Sequence, residues 1–360
     1  MDYIKEYTKL AKNKNLLPIK VTDFYMKKID EEIKNIWFEG PLYRNVFPVN
    51  DKINLVSYWE VEDWVDDRLN EQINYWKNII RKYKNRILVL VTQVCVWHCL
   101  YCFRQDVLSE KLKLRESIDF IDLAKNLLEL IKNDSDIDEI ILSWWDPMTL
   151  PINKLEYILK LIRNNSCIKN IRIHTRSIVY NPYIFNDTLL DILQKYNVRL
   201  VFHINHPYEV CDVVKDFINR IQYKWIRCYN QFPLLRKTND NWIVLNNLLS
   251  ILDELNIRNL SIFIPDPITY SASYRINFSR ILKIIDELNL NTSAWINSTR
   301  FVMDTVIWKV RRENADKSYR KWYIKFTKNW KFVNYPDFPK EYDIPWDLEK
   351  MLWKDYNFNN

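Results

Sequence analysis

The chain has 360 residues, 48% of them apolar and 28% charged, which suits one large folded domain, or a core with a smaller lobe, and excludes a disordered protein. No run approaches roughly 18 apolar residues, and the opening MDYIKEYTKL lacks a basic-then-apolar leader, so no membrane association is expected and a cytoplasmic location follows by default. The net charge of +7 is spread without a basic block, a weak pointer to anionic ligands and no case for nucleic acid.

Residues 1–80 read as a helical, charge-rich lobe. It has an amphipathic stretch near 22–36, the loop EGPLYRNVFPVND, and helix-like DDRLNEQINYWKNIIRKY at 66–83. From 87 short β-branched runs predict strands at 87–94, 139–143, 170–175, 199–205, 226–232 and 259–265. Helices are expected near 117–132, 154–164, 187–196, 209–222, 243–256 and 277–289. The alternation predicts an α/β fold of βαβ units, a full or partial (β/α)6 barrel over 81–312, with its chemistry at the C-terminal strand ends. A charged, aromatic segment at 313–360 reads as a small hairpin and tail.

One count is abnormal. Average usage would give roughly 25 glycines, yet Gly40 is the only one, while tryptophan appears 15 times. Several tryptophans sit where turns call for glycine. Trp225 lies between a helix and a strand, Trp330 follows Asn329 as in an Asn-Gly hairpin, Trp346 follows Pro345, and Trp242 follows TNDN. The reading we adopt is that glycine codons, UGA in the source organism, are written as tryptophan. A chain rich in genuine tryptophan is the alternative.

After the first barrel strand, VTQVCVWHCLYCFRQ carries Cys95, Cys99 and Cys102 in C-x3-C-x2-C spacing. Three thiolates on one loop can hold three irons of a [4Fe–4S] cluster and leave the fourth open. Structural zinc with His98 is the rival, although adjacent His98 and Cys99 could hardly both reach one tetrahedral ion. Cys167, Cys211 and Cys228 are scattered singly and read as core residues.

The cysteine spacing, its place and Tyr101 resemble the radical SAM superfamily, whose open iron chelates S-adenosylmethionine and generates a 5′-deoxyadenosyl radical. From about 41 to 335 the chain resembles the lysine 2,3-aminomutase family. The segments that carry this are KYKNRILVLVTQVC, CLYCFRQ, LSWWDP, RIHTRSIV, FHINHP, YNQFPLLRKTND, IFIPDP and RFVMDTVIWKV. Glycine in place of tryptophan turns LSWWDP into LSGGDP, the family's S-adenosylmethionine motif, and IWKV into IGKV.

The resemblance implies a partial (β/α)6 radical SAM barrel with an N-terminal helical lobe and a short C-terminal extension. It also implies roles. Lys309 would hold pyridoxal phosphate as a Schiff base, with Lys82 and Arg86 on its phosphate. Arg104 would take the substrate α-carboxylate, and Asp266 with Asp304 the distal ammonium of lysine. Ser143, Trp144, Trp145 and Asp146 would border S-adenosylmethionine, with His203, Asn205 and His206 lining the same cavity and Gln231 and Arg236 matching a family motif. Capping, core or turn roles are the plain alternatives for Asp266, Asp304, the histidines, Asn239 and Asp240.

The implied activity is isomerisation of L-lysine to β-lysine, fed by an electron donor such as flavodoxin or ferredoxin. Alternatives are an aminomutase for another amino acid or for elongation factor P modification, and a protein independent of pyridoxal phosphate, such as a plain iron–sulfur protein. No cysteine follows Cys228, so the C-terminal zinc-binding extension of some aminomutases is not expected; a homo-oligomer is left open.

Overall fold

The computed structural model describes residues 2–14, 16–37, 39–55, 59–66, 78–105, 108–110, 118–165, 167–316 and 322–353. An N-terminal lobe contains α1 (Tyr3–Asn13), α2 (Asp23–Ile36), α3 (Pro41–Val46) and α4 (Asn50–Asn54). Thr22 caps α2 by accepting from the Tyr25 N–H, and the expected amphipathic stretch is this helix.

Eight strands follow in consecutive spatial order: β1 (Ile79–Tyr83), β2 (Arg86–Val89), β3 (Glu139–Leu142), β4 (Asn170–Thr175), β5 (Val198–Phe202), β6 (Arg227–Pro233), β7 (Arg258–Phe263) and β8 (Arg300–Val302). From β2 to β8 every pairing is parallel. The connections run through α5 (Phe120–Asn133), α6 (Ile152–Arg163), α7 (Asp187–Lys195), α8 (Asp212–Tyr223), α9 (Trp242–Glu254) and α10 (Phe278–Asn291). The α/β fold with six βα units is therefore as expected. A seventh parallel strand, β8, is added; its run RFV is too short for periodicity to mark it.

The helix read over 66–83 needs correction. Residues 67–77 lie outside the described residues, and Ile79–Tyr83 is a strand pairing antiparallel with β2 through the Lys84–Asn85 turn. The β-branched pair at 79–80 faces the core, where packing outweighs helical periodicity. The expected C-terminal hairpin is β9 (Tyr323–Lys328) with β10 (Lys331–Pro336).

Thirteen described residues other than glycine have positive φ, and six of them are tryptophans: Trp37, Trp59, Trp144, Trp225, Trp308 and Trp330. Trp37 is the left-handed C-cap of α2, and Trp225 follows α8. Asn329 and Trp330 are both left-handed between β9 and β10, as a two-residue hairpin loop requires. Each such conformation costs a side-chain-bearing residue about 1–2 kcal/mol. The indoles recover little by burial, since Trp225 is 88% exposed and Trp330 fully so. Gly40 has an ordinary φ of −72° and is instead crowded by Glu32. Trp242 and Trp346 are not left-handed; Trp242 opens α9 behind the Asn241 cap, and Trp346 packs under Arg44.

Candidate active site

The C-terminal strand ends gather the site. The cysteine loop after β2 is clamped by the N-terminal lobe. Lys20 donates to the Cys95 carbonyl at 2.9 Å, and Lys52, buried on α4, donates to the Leu100 carbonyl at 2.7 Å. The Leu100 N–H donates to the Asn45 carbonyl. His98 Nδ1 contacts the Pro18 carbonyl at 2.6 Å, so this ring nitrogen is engaged by the lobe.

Burial raises the Cys95 thiol well above its ordinary pKa, and Asp146, Cys102 and Cys99 push the same way. Three neighbouring thiolates therefore need a cationic group among them. Among the described residues no three His, Cys, Asp or Glu side chains converge as a single metal ion requires. A cluster has no such requirement, because each thiolate binds a different iron. Three cysteines on one loop suit a [4Fe–4S] cluster.

Tyr101, between Cys99 and Cys102, is held from below. Its hydroxyl accepts from Arg176 and from Asn205 Nδ2. Arg176 also pairs with Glu209, which accepts from Tyr25 on α2 at 2.8 Å and from the Asn205 N–H at 2.6 Å. Cys99 Sγ lies 3.8 Å from the Tyr180 hydroxyl.

Beyond β3, Asp146 is buried and accepts from the Thr175 hydroxyl and from the Met148, Arg176 and Ser177 N–H groups. Its carboxylate ties the β3 loop to the end of β4. Trp144 adopts φ 95°, and Trp145 is 4% exposed. Trp145 belongs to a small apolar cluster against which Cys95, Cys102 and Trp144 pack, and Arg104 lies 4.4 Å over the Trp144 ring. The indoles thus occupy the room beside the cysteine loop. As written, 144 and 145 do not fit S-adenosylmethionine.

Across the barrel, Lys309 Nζ stands 3.4 Å from Asp304 Oδ2 and 4.1 Å over the Phe263 ring. Burial lowers its pKa, Asp304 opposes this, and Arg172 and Arg86 add to it. Asp266 is raised to about 8, chiefly by burial, then by Asp304, against Arg104, Lys82 and Lys309. Four residues expected in one site, Arg104, Asp304, Lys82 and Lys309, thus lie within electrostatic reach of a fifth, Asp266.

The cations divide differently from the expected pair. Lys82 donates to the Val65 carbonyl and faces Asp304, Asp63, Asp266 and Asp66. The second guanidinium beside Arg86 is Arg172; both pair with Glu139, at 3.6 and 3.2 Å. Ser143 and Gln231 meet at His174, while His203 is half-buried with its ring 6.0 Å from Tyr101. His206 caps the turn at 207–209, Arg236 pairs with Asp51, and Asn239 donates to the Asn205 carbonyl. Asp240 pairs with Arg280, and Cys228 alone of the scattered cysteines is buried.

Arg172, His174, Arg176 and Glu209 were not singled out from the sequence. The available signal was polarity where none was due, since a parallel strand covered on both faces should be near-continuously apolar and NIRIHT is not.

No described helix is long and apolar enough to cross a membrane. The family model of the radical SAM superfamily matches residues 89–230. The L-lysine 2,3-aminomutase of Buchnera aphidicola is 29% identical over 79% of this chain and 82% of its own. That of Methanococcus maripaludis is 27% identical over 83% and 67%, and that of Acetoanaerobium sticklandii 27% over 80% and 67%. A radical SAM methyltransferase structure from Sphaerobacter thermophilus aligns with a TM-score of 0.43 at 15% identity, covering 62% of this chain and 67% of that one. The stretch from β2 to β6 thus matches the radical SAM superfamily, and along most of its length the chain is similar to lysine 2,3-aminomutases.

Proposed function

We propose that this isomerase moves the α-amino group of L-lysine to C3, giving β-lysine, with pyridoxal phosphate attached at Lys309. The observation that carries the reading is that a half-buried amine pairs with Asp304, and that both, with Arg104, act on Asp266. Pyridoxal phosphate, when bound, supplies the aldehyde that captures the substrate nitrogen. Lys309 is suited to hold it, because burial favours its neutral, nucleophilic form. Arg86 and Arg172 offer two guanidinium forks to the phosphate. Asp266 and Asp304 would receive the distal ammonium of lysine, whose charge would relieve their mutual repulsion, and Arg104 would orient the α-carboxylate.

The written Trp144 and Trp145 block the remaining cofactor space, so we further propose that the left-handed tryptophans, and Trp145, are glycine in the working protein. The [4Fe–4S] cluster, when bound, supplies the electron that begins radical chemistry, drawn from a flavodoxin or ferredoxin.

The test uses the full chain carrying Trp144→Gly, Trp145→Gly and Trp308→Gly, expressed anaerobically and reconstituted with iron and sulfide. With S-adenosylmethionine, pyridoxal phosphate and L-lysine it should release β-lysine. Turnover of lysine without pyridoxal phosphate, or of glutamate in preference to lysine, overturns the assignment.

A further inference from the structure

The interior of β4 carries a group that the proposed chemistry leaves unused. Alternation along NIRIHT buries Ile171, Ile173 and Thr175 on one face and sets Arg172 and His174 together on the other. His174 Nδ1 lies 3.3 Å from Ser143 Oγ and 3.3 Å from Gln231 Nε2. A glutamine amide nitrogen only donates, so Nδ1 must accept and the neutral ring carries its hydrogen on Nε2. That Nε2 is buried without a hydrogen-bond partner among the described residues.

An orphaned buried donor costs roughly 1–3 kcal/mol, and a fold keeps one where something arrives to satisfy it. The ring gains nothing by ionising, since burial, then Arg172, Lys309 and His203, hold it neutral. Its surroundings define the missing acceptor. Arg172, Arg86 and Lys309 give this side of the cavity an excess of positive charge, shared by Glu139 and Asp304 alone among the carboxylates they pair with. The arriving group is therefore an anionic oxygen beside Lys309. A neutral donor adds direction there without further charge, while Ser143 and Gln231 fix the tautomer from behind.

We propose that His174 is a positioning residue that donates its Nε2–H to an anionic oxygen, phosphate or phenolate, of the pyridoxal phosphate held at Lys309. This rests on the aminomutase reading and adds to it a specific contact from β4.

The experiment titrates the triple-glycine full chain with pyridoxal phosphate and with pyridoxal, following the visible absorbance of the bound cofactor. Parent, His174→Ala, His174→Leu, His174→Gln and Lys309→Ala are compared, with iron content and the cofactor-free thermal midpoint as fold controls. Loss of the donor should weaken pyridoxal phosphate roughly 10- to 100-fold, as expected for a hydrogen bond to a charged acceptor. Glutamine, whose amide N–H reaches the Nε2 position, should recover most of it. The leucine variant fills the same space and carries the test if alanine does not fold. Pyridoxal affinity untouched by the substitutions assigns the phosphate, and an equal loss assigns the phenolate. Affinity within about twofold of parent in a folded donor-less variant overturns the proposal, as does a glutamine variant as weak as alanine. A parent that binds no cofactor through Lys309 removes the aminomutase reading and this contact with it. A parent that binds while every His174 variant matches it removes this contact alone.

Discussion

The Lys309 amine lies 3.4 Å from the Asp304 carboxylate, across a turn closed by left-handed Trp308. The Thr305 hydroxyl donates to the Trp308 carbonyl at 2.6 Å, and Met303 pairs with Val310, so the lysine is carried on a stiff loop rather than a free tail. Lys309→Ala should abolish the visible band formed with pyridoxal phosphate, and a band that survives would remove Lys309 as the attachment point. Asp304→Asn takes away the charge that opposes burial at this amine. The amine should then deprotonate at lower pH, and the pH midpoint for cofactor attachment should move down.

Asp266 gives a signature without any cofactor. Its carboxyl, raised to about 8 by burial and Asp304, holds a proton in the folded state that the unfolded chain, at about 3.9, has lost. That contribution to stability is complete below the unfolded pKa and is lost as pH rises through 8. The thermal midpoint should fall on this account between about pH 4 and pH 8. Asp266→Asn should flatten that slope and raise the midpoint at the alkaline end, and an unchanged slope would mean that the folded chain does not hold Asp266 protonated.

The legible parts of this site were those set by local chemistry. Cysteine spacing fixes a ligand loop whatever surrounds it, and β-branched runs separated by amphipathic helices fix βαβ order. Lys309, Asp266 and Asp304 stand out through the family resemblance of IFIPDP and RFVMDTVIWKV. Arg172 and His174 do not, because their meaning depends on which residues face them across the barrel. Arg172 meets Glu139 of β3, and His174 meets Gln231 of β6, 57 residues away. Strand β1 departs from its helical pattern for a similar reason, since β2 decides the state of IIRKY more than its own periodicity does.

The tryptophans make a prediction about the polypeptide itself. Trp225→Gly and Trp330→Gly remove exposed indoles with nothing packed beneath them and relieve a left-handed side chain. Each should raise stability by about 1 kcal/mol, read from denaturant midpoints at constant slope. Trp144→Gly with Trp145→Gly should leave the fold intact and raise affinity for S-adenosylmethionine over that of the parent chain. Mass spectrometry of the protein from its own source should show a fixed mass loss at each recoded position. Intact tryptophan at Trp225 and Trp330 would end the recoding idea.

Glu209 joins three parts of the molecule that must agree for the cysteine loop to be placed. It takes Tyr25 from the N-terminal lobe, Arg176 from the end of β4 and the Asn205 N–H from the end of β5, and Arg176 in turn holds Tyr101 between two cysteines. Both ions are buried, so removing one leaves the other charged with nothing opposite it. Glu209→Ala should therefore cost about 3–5 kcal/mol, far more than loss of an exposed pair. The damage should not be confined to stability. With Arg176 released, Tyr101 loses its anchor, and iron retained after reconstitution should drop while the lobe's own helices persist by circular dichroism. Tyr101→Phe removes only the hydroxyl and keeps the Arg176–Glu209 pair. It should cost about 1–3 kcal/mol for the donors left unmet and lower iron retention less than Glu209→Ala does. Equal iron content in both variants and parent would show that the lobe contacts of Lys20 and Lys52 hold the loop unaided.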